Sequence, residues 1–282
     1  MPQSEKLEVL VLGSGTGGKL IAWYMAQSGR RTAVVERHWV GGSCPNIACM
    51  PSKNEISSAK VAQLARQGGD YGTVTGSVTV DMATVRRRKR EMVERQVAKH
   101  LQIYRASGAE LILGSGRFVA SKTLEVNLND GGKRELSADK VFLNVGTRAA
   151  IPNVPGLVAA QPLTHVEVLE LDHLPQHLIV IGGGYSGLEL AQAYRRFGSD
   201  VTIVESGPQL WLARISTSLR KCGEFSPAKV SRFLSRPSCS RYAGDRETRL
   251  RLARVHPRVS IPLTAAISWS PLAGFRIPPE LD

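Results

Sequence analysis

Glu8 to Gly18 reads EVLVLGSGTGG. Its apolar run, Val9 to Leu12, has the length and composition of a buried strand, and it enters a turn with Gly13, Gly15 and Gly18 at the G-x-G-x-x-G positions. An apolar helix is predicted over Lys19 to Gln27, followed by a second strand, Thr32 to Val35, that ends at Glu36. In this order the first two glycines allow a tight turn and the close approach of backbone to a pyrophosphate. The third lets helix and strand pack, and the phosphate sits at the helix N-terminus. Glu36 is placed to accept hydrogen bonds from ribose hydroxyls.

The pattern occurs twice. Leu178 to Ile181 leads into GGGYSG, with Gly182, Gly184 and Gly187, then a helix over Leu188 to Phe197 and a strand, Val201 to Val204, ending at Glu205. Gly13 to Glu36 and Gly182 to Glu205 both span 23 residues, so two sites of the Rossmann type share one layout. The fold class expected is α/β, with two Rossmann-like doubly wound domains, the second incomplete. Residues 1–150 form the first domain and 151–212 part of the second, joined through the prolines of IPNVPG at 151–156. Residues 213–282 are a poorly structured basic tail, disordered or irregular.

Directly after the first unit, Gly41 to Lys53 reads GGSCPNIACMPSK and places Cys44 and Cys49 five residues apart. A disulfide needs Cα atoms within about 7 Å, and regular helix would turn the two side chains to different faces, so the backbone must bend. Pro45 suits the first position of a helix whose positive end favours thiolate, and Pro51 is expected to end or kink the segment. Residue types alone leave two readings, a redox-active dithiol or two inert buried thiols.

The 282 residues have room for about two domains. The opening MPQSEKLEVLVLG lacks the build of a signal peptide, and no apolar run approaches the ~18 to 20 residues of a membrane span, so a cytoplasmic protein is expected. Four cysteines, the other two being Cys222 and Cys239, are too few for a disulfide-stapled scaffold. The net charge of +13 is concentrated: residues 213–282 carry 13 Lys and Arg against 5 Asp and Glu. Arg86 to Arg90, RRRKR, wraps a predicted helix and reads as a solvated face, with no interleaved aromatics to stack on nucleic acid. No four-ligand zinc set is spaced along the chain, and no resident metal is expected.

GGxC, four residues, C-x-PSK resembles the active-site signature of the class I pyridine nucleotide-disulfide oxidoreductases, which include dihydrolipoamide dehydrogenase, glutathione reductase and mercuric reductase. SCPNIAC followed by PSKN is most similar to the mercuric-reductase-like branch. The resemblance implies FAD at the first glycine loop, with Gly42, Ser43 and Gly146 beside it, and NADH or NADPH at the second. It makes Cys49 the thiol next to the flavin and Cys44 the outer thiol that exchanges with substrate. It pairs Lys53 with Glu189 near the flavin, and makes Tyr185 the residue that covers the flavin face. A carboxylate at Glu205 favours a free ribose hydroxyl over a 2′-phosphate, hence NADH, while Arg195, Arg196 and Arg214 keep NADPH open. The implied substrate is a small-molecule disulfide or a soft metal ion such as Hg(II).

Residues 7 to about 212 carry the resemblance. Ala243-Gly244-Asp245 and His256-Pro257 lack the surroundings of the family's later motifs, and the tail reads as the product of a truncated or frame-shifted gene. The family's homodimer interface domain is then missing. Three functions remain in view: the flavin-dependent oxidoreductase, mercuric-reductase-like with dihydrolipoamide dehydrogenase as the alternative; an inactive nucleotide-binding fragment; and a basic nucleic-acid binder, which rests on charge alone.

Overall fold

In the computed structural model, residues 4–205, 250–253 and 266–268 are described, and they fall into two compact units. The first holds residues 4–51 and 89–148. The second holds 52–88, which lie within the first domain expected from sequence, together with the described residues beyond 148.

In the first unit β1 (Glu5–Leu12) is flanked in parallel by β2 (Thr32–Glu36) and β5 (Lys133–Leu143), and β3 (Glu110–Ala120) starts beside β2. The far half of β3 and the near half of β5 leave this parallel set to pair antiparallel with β4 (Thr123–Leu128), which closes the sheet on itself. Strand alternation divides the core. Leu10, Leu12, Ala33, Val35 and Ile112 face Leu124 and Val126 of β4, while Val9, Val11 and Val34 face Ala22 of α1 (Thr16–Gln27) and Tyr104 of α4 (Met82–Ser107). One face of this sheet is therefore covered by helices and the other by the strand meander. Asp81 caps α4 as its sequence predicts, accepting from Thr84 N at 3.2 Å and Thr84 Oγ1 at 2.6 Å. The basic run inside α4 is not simply a solvated face: Lys89 is 1% exposed, and Arg86 pairs with Asp172 at 2.9 Å.

In the second unit β6 (His177–Ile181) and β7 (Asp200–Val204) are joined by α6 (Tyr185–Phe197). This helix buries Leu190, Ala191, Tyr194 and Phe197 against Leu178, Val180, Val201 and Ile203, and Ala59 and Ala62 of α3 (Cys49–Gln67) share the cluster. Arg66 donates to Arg196 O and, at 2.8 Å, to Phe197 O, satisfying carbonyls that the end of α6 leaves open. β8 (Leu250–Ala253) pairs with β7, and β9 (Ala266–Ser268) pairs with β6, giving the parallel order β8-β7-β6-β9. These seven residues are the part of 213–282 that the structure describes, and they form strand. Cys222, Cys239, Arg214, Ala243 to Asp245 and His256-Pro257 lie outside the described residues.

The two glycine loops are built alike. Gly13 N donates to Val35 O and Gly182 N to Val204 O, both at 2.8 Å, with φ of +97° and +103° that favour glycine. A Cβ on Gly18 would stand 2.2 Å from Gly13 O, and one on Gly187 2.5 Å from Gly182 O, so the third glycine is required by backbone packed on backbone. Each strand-end glutamate ties back to its loop: Ser14 N donates to Glu36 Oε2 at 2.8 Å, and Gly183 N to Glu205 Oε2 at 2.6 Å. Glu36, 9% exposed, also accepts from Ser14 Oγ at 2.6 Å, His38 N at 2.8 Å and Trp39 N at 3.0 Å.

These contacts give expected costs for three substitutions. Gly18→Ala drives a methyl into backbone that cannot yield and is expected to cost about 3 kcal/mol in denaturant unfolding. Gly17→Ala meets only Asn144 Oδ1, at 3.3 Å, and is expected to stay within about 1 kcal/mol. Glu36→Gln exchanges an acceptor oxygen for an NH2 facing other donors, and is expected to cost roughly 2 kcal/mol or more, read as a lowered unfolding midpoint.

Candidate functional site

The dithiol turn lies against the first glycine loop, backbone to backbone. Gly41 and Gly42 have φ of +91° and +81°, and a Cβ on Gly42 would stand 2.4 Å from Gly15 Cα. Ser14 Oγ, donating to Glu36, accepts from Gly41 N at 2.9 Å. Asn46 closes the turn from the other side, its Nδ2 donating to Val40 O at 3.0 Å and Gly42 O at 2.7 Å. A single helical turn, α2 (Ser43–Asn46), carries Ser43 and Cys44. Ile47, with φ −139°, leaves helical conformation, and α3 starts afresh at Cys49. The expected bend is therefore two helices broken at Ile47 and Ala48.

That break brings the Cys44 and Cys49 thiols into hydrogen-bond contact, with no disulfide between them. Burial pushes the Cys44 thiol up, the hydrogen bond and charge of Cys49 push it the same way, and the Lys19 ammonium opposes them. The prolines act differently from expectation. Pro45 is the third residue of α2, not its first, and Pro51 stands in the first turn of α3, where a missing N–H costs nothing and the helix runs on to Gln67.

The second unit holds Lys53, Glu189 and Tyr185. Lys53 Nζ meets Glu189 Oε2 at 2.5 Å, so the pairing expected from the resemblance is present. The two side chains are 59% and 40% exposed, which makes it a surface pair worth about 0–1 kcal/mol. Tyr185 opens α6 and is exposed. Gly146, in the first unit beyond β5, has φ +69° with open space around it.

Both glycine loops fit a dinucleotide. α1 and α6 begin at Gly15 and Gly184 with no side-chain cap, and Thr16 and Gly17 at the start of α1 are exposed, leaving first-turn N–H groups for an outside acceptor. Asn144 takes part of the first loop. With its amide oxygen turned inward, it accepts from Gly15 N at 3.0 Å and Gly18 N at 3.2 Å. Glu36 fits its ribose role only by exchange, since four donors already occupy the roughly four acceptor sites of a carboxylate.

Sequence reasoning missed Ser14, Asn46, Lys19 and His100. Lys19 carried a signal, a charge directly after the third glycine in a helix otherwise apolar on its buried face. His100 gave none, because it meets the site from 81 residues away.

Residues 7–224 match the family model described as pyridine nucleotide-disulphide oxidoreductase, twelve residues further than the motifs could be followed. A mercuric reductase of Bacillus cereus is 33% identical over 204 residues, covering 72% of this chain and 32% of that protein. A dihydrolipoyl dehydrogenase of Bacillus subtilis is 33% identical over 208 residues, covering 70% of this chain and 44% of that protein. The chain thus spans 32% to 44% of the length of these curated relatives. Among solved structures, the Cu(II) complex of the HOCl-induced flavoprotein disulfide reductase RclA from Escherichia coli matches with a TM-score of 0.64 and 28% identity, over 73% of this chain and 44% of that one. No helix among the described residues is long and apolar enough to cross a membrane. Members of the matched family bind FAD and use NAD(P)H. The chain belongs to the pyridine nucleotide-disulphide oxidoreductases, a family of FAD-dependent enzymes.

Proposed function

We propose that this chain carries the electron path of a cytoplasmic NAD(P)H:disulfide oxidoreductase, from a nicotinamide at the second glycine loop to the Cys44/Cys49 pair and on to a disulfide or soft-metal substrate. The observation that carries the reading is the pair of thiols in hydrogen-bond contact, built directly on the first glycine loop. FAD, when bound, supplies two-electron exchange between the nicotinamide and the Cys44–Cys49 disulfide.

Gly13, Gly15, Gly18, Glu36, Gly42, Ser43 and Gly146 are the residues assigned to FAD. Gly182, Gly184, Gly187 and Glu205 are assigned to NADH, favoured because the Glu205 carboxylate repels a 2′-phosphate. Lys53, oriented by Glu189, places a cation on α3 one turn after Cys49. Cys49 takes the flavin side and Cys44 the substrate side. Burial keeps a proton on Cys44, so this thiol must lose it before attacking a substrate sulfur or binding a soft ion. Mercuric reductases and a dihydrolipoyl dehydrogenase are similar to the same degree, which supports soft-metal and disulfide substrates equally.

Reconstituted with FAD and titrated anaerobically with NADH, the oxidised chain is expected to lose flavin absorbance, expose new thiols at Cys44 and Cys49, and take up one more electron pair than Cys49→Ser. Failure to retain FAD, or equal uptake by the two proteins, would contradict the reading.

A further inference from the structure

The residue after the third glycine is Leu188 in the second unit, where it packs against the apolar core. In the first unit the same place holds Lys19, which is 9% exposed. Burying an ammonium is costly without a counter-charge, and among the described residues no carboxylate pairs with Lys19. Its contacts are neutral. Nζ lies 3.0 Å from His100 Nε2 and 3.5 Å from Gly41 O, and stands 5.9 Å from the centre of the Trp23 ring. Burial lowers the pKa of Lys19, and the one group that raises it is Cys44.

His100 fixes this arrangement to the dithiol turn. A Cβ on Gly41 would stand 2.3 Å from His100 Nδ1 and 3.1 Å from Pro45 Cγ, so the imidazole packs directly on Gly41 at the start of the dithiol turn. The ring also packs beside Trp23, at 5.8 Å between centroids. Burial first, then the charges of Lys19 and Lys99, lower the pKa of His100, which favours neutral imidazole with Nε2 accepting from the ammonium. Tyr104, at the far side of Trp23, is buried and held neutral by desolvation and by Glu36.

We propose that Lys19 is a resident counter-ion for the Cys44 thiolate, held beneath the dithiol turn by His100, Gly41 and Trp23, and that it tunes the nucleophilicity of the outer thiol. The proposal deepens the dithiol reading above and rests on it. When the Cys44–Cys49 bond takes up two electrons and one proton, the S–S bond breaks and leaves one thiol and one thiolate. Burial and Cys49 keep the proton on Cys44, whereas attack on a substrate sulfur needs the negative charge there. Lys19 is the cation that offsets this bias. It touches no reacting atom in the structure and acts as a positioning residue through charge.

The titratable groups in this cluster are Cys44 on α2, Cys49 at the start of α3, Lys19 on α1, His100, Lys99 and Tyr104 on α4, and Glu36 at the end of β2. The ammonium favours thiolate, so its removal must move Cys44 ionisation to higher pH. The test is the pH profile of Cys44 alkylation by iodoacetamide in the fully reduced chain, read by mass spectrometry, and it needs no flavin. Lys19→Met is expected to move the Cys44 midpoint up by about one pH unit, a roughly tenfold slower alkylation near neutrality, while Lys19→Arg restores most of the shift. Should the Met variant fail to fold, Lys19→Leu carries the residue that the second unit already accepts. An unmoved midpoint in a folded neutral variant, or an equal shift in Lys19→Arg, would overturn the proposal. Loss of NADH-dependent thiol formation with this profile intact would count against the electron-path reading alone.

Discussion

The Glu36 carboxylate holds together what the first unit brings to its site. It stands at the end of β2 and accepts from the backbone of the glycine loop, from the Ser14 hydroxyl, and from the two residues that lead toward the dithiol turn. Ser14 passes the connection on by accepting from Gly41 N. Hydrogen bonds to a charged acceptor are worth about 1.5–3 kcal/mol each, and a buried donor left unmade costs a comparable amount. The nucleotide loop and the dithiol turn are therefore tied to one buried carboxylate.

The two halves of the chain show what is common skeleton and what is added. Glycine positions, the strand-to-loop bonds at 2.8 Å and the glutamate tie recur in both units. Ser14 becomes Gly183 in the second unit, which has no hydroxyl to reach a following turn, and Lys19 becomes Leu188. The additions in the first unit are polar and converge on Gly41. They support the dithiol and are not needed to make a glycine loop.

Much of this was legible in the sequence because it is local. The two strand-loop-helix units and the Asp81 cap rest on spacing and on residues close along the chain. Helix starts were less legible: α1 and α6 begin within the glycine loops, and α3 begins at Cys49, because terminal N–H groups need no helical partner and so tolerate glycine and Pro51. Closure of the first sheet through β4 was hidden, since β3 and β5 each change partner partway along. Lys53 and Glu189 could be paired from the resemblance, but their exposure could not. The Lys19–His100 contact joins elements far apart in sequence and leaves no periodic trace.

The dithiol turn is held by the glycine loop through Ser14 and Glu36. Amide hydrogen exchange of Ser14→Ala against the unaltered chain tests it most directly. Faster exchange is expected across residues 39–49 together with the glycine loop, while the β4–β5 hairpin keeps its protection. Unchanged exchange in the dithiol turn would contradict it.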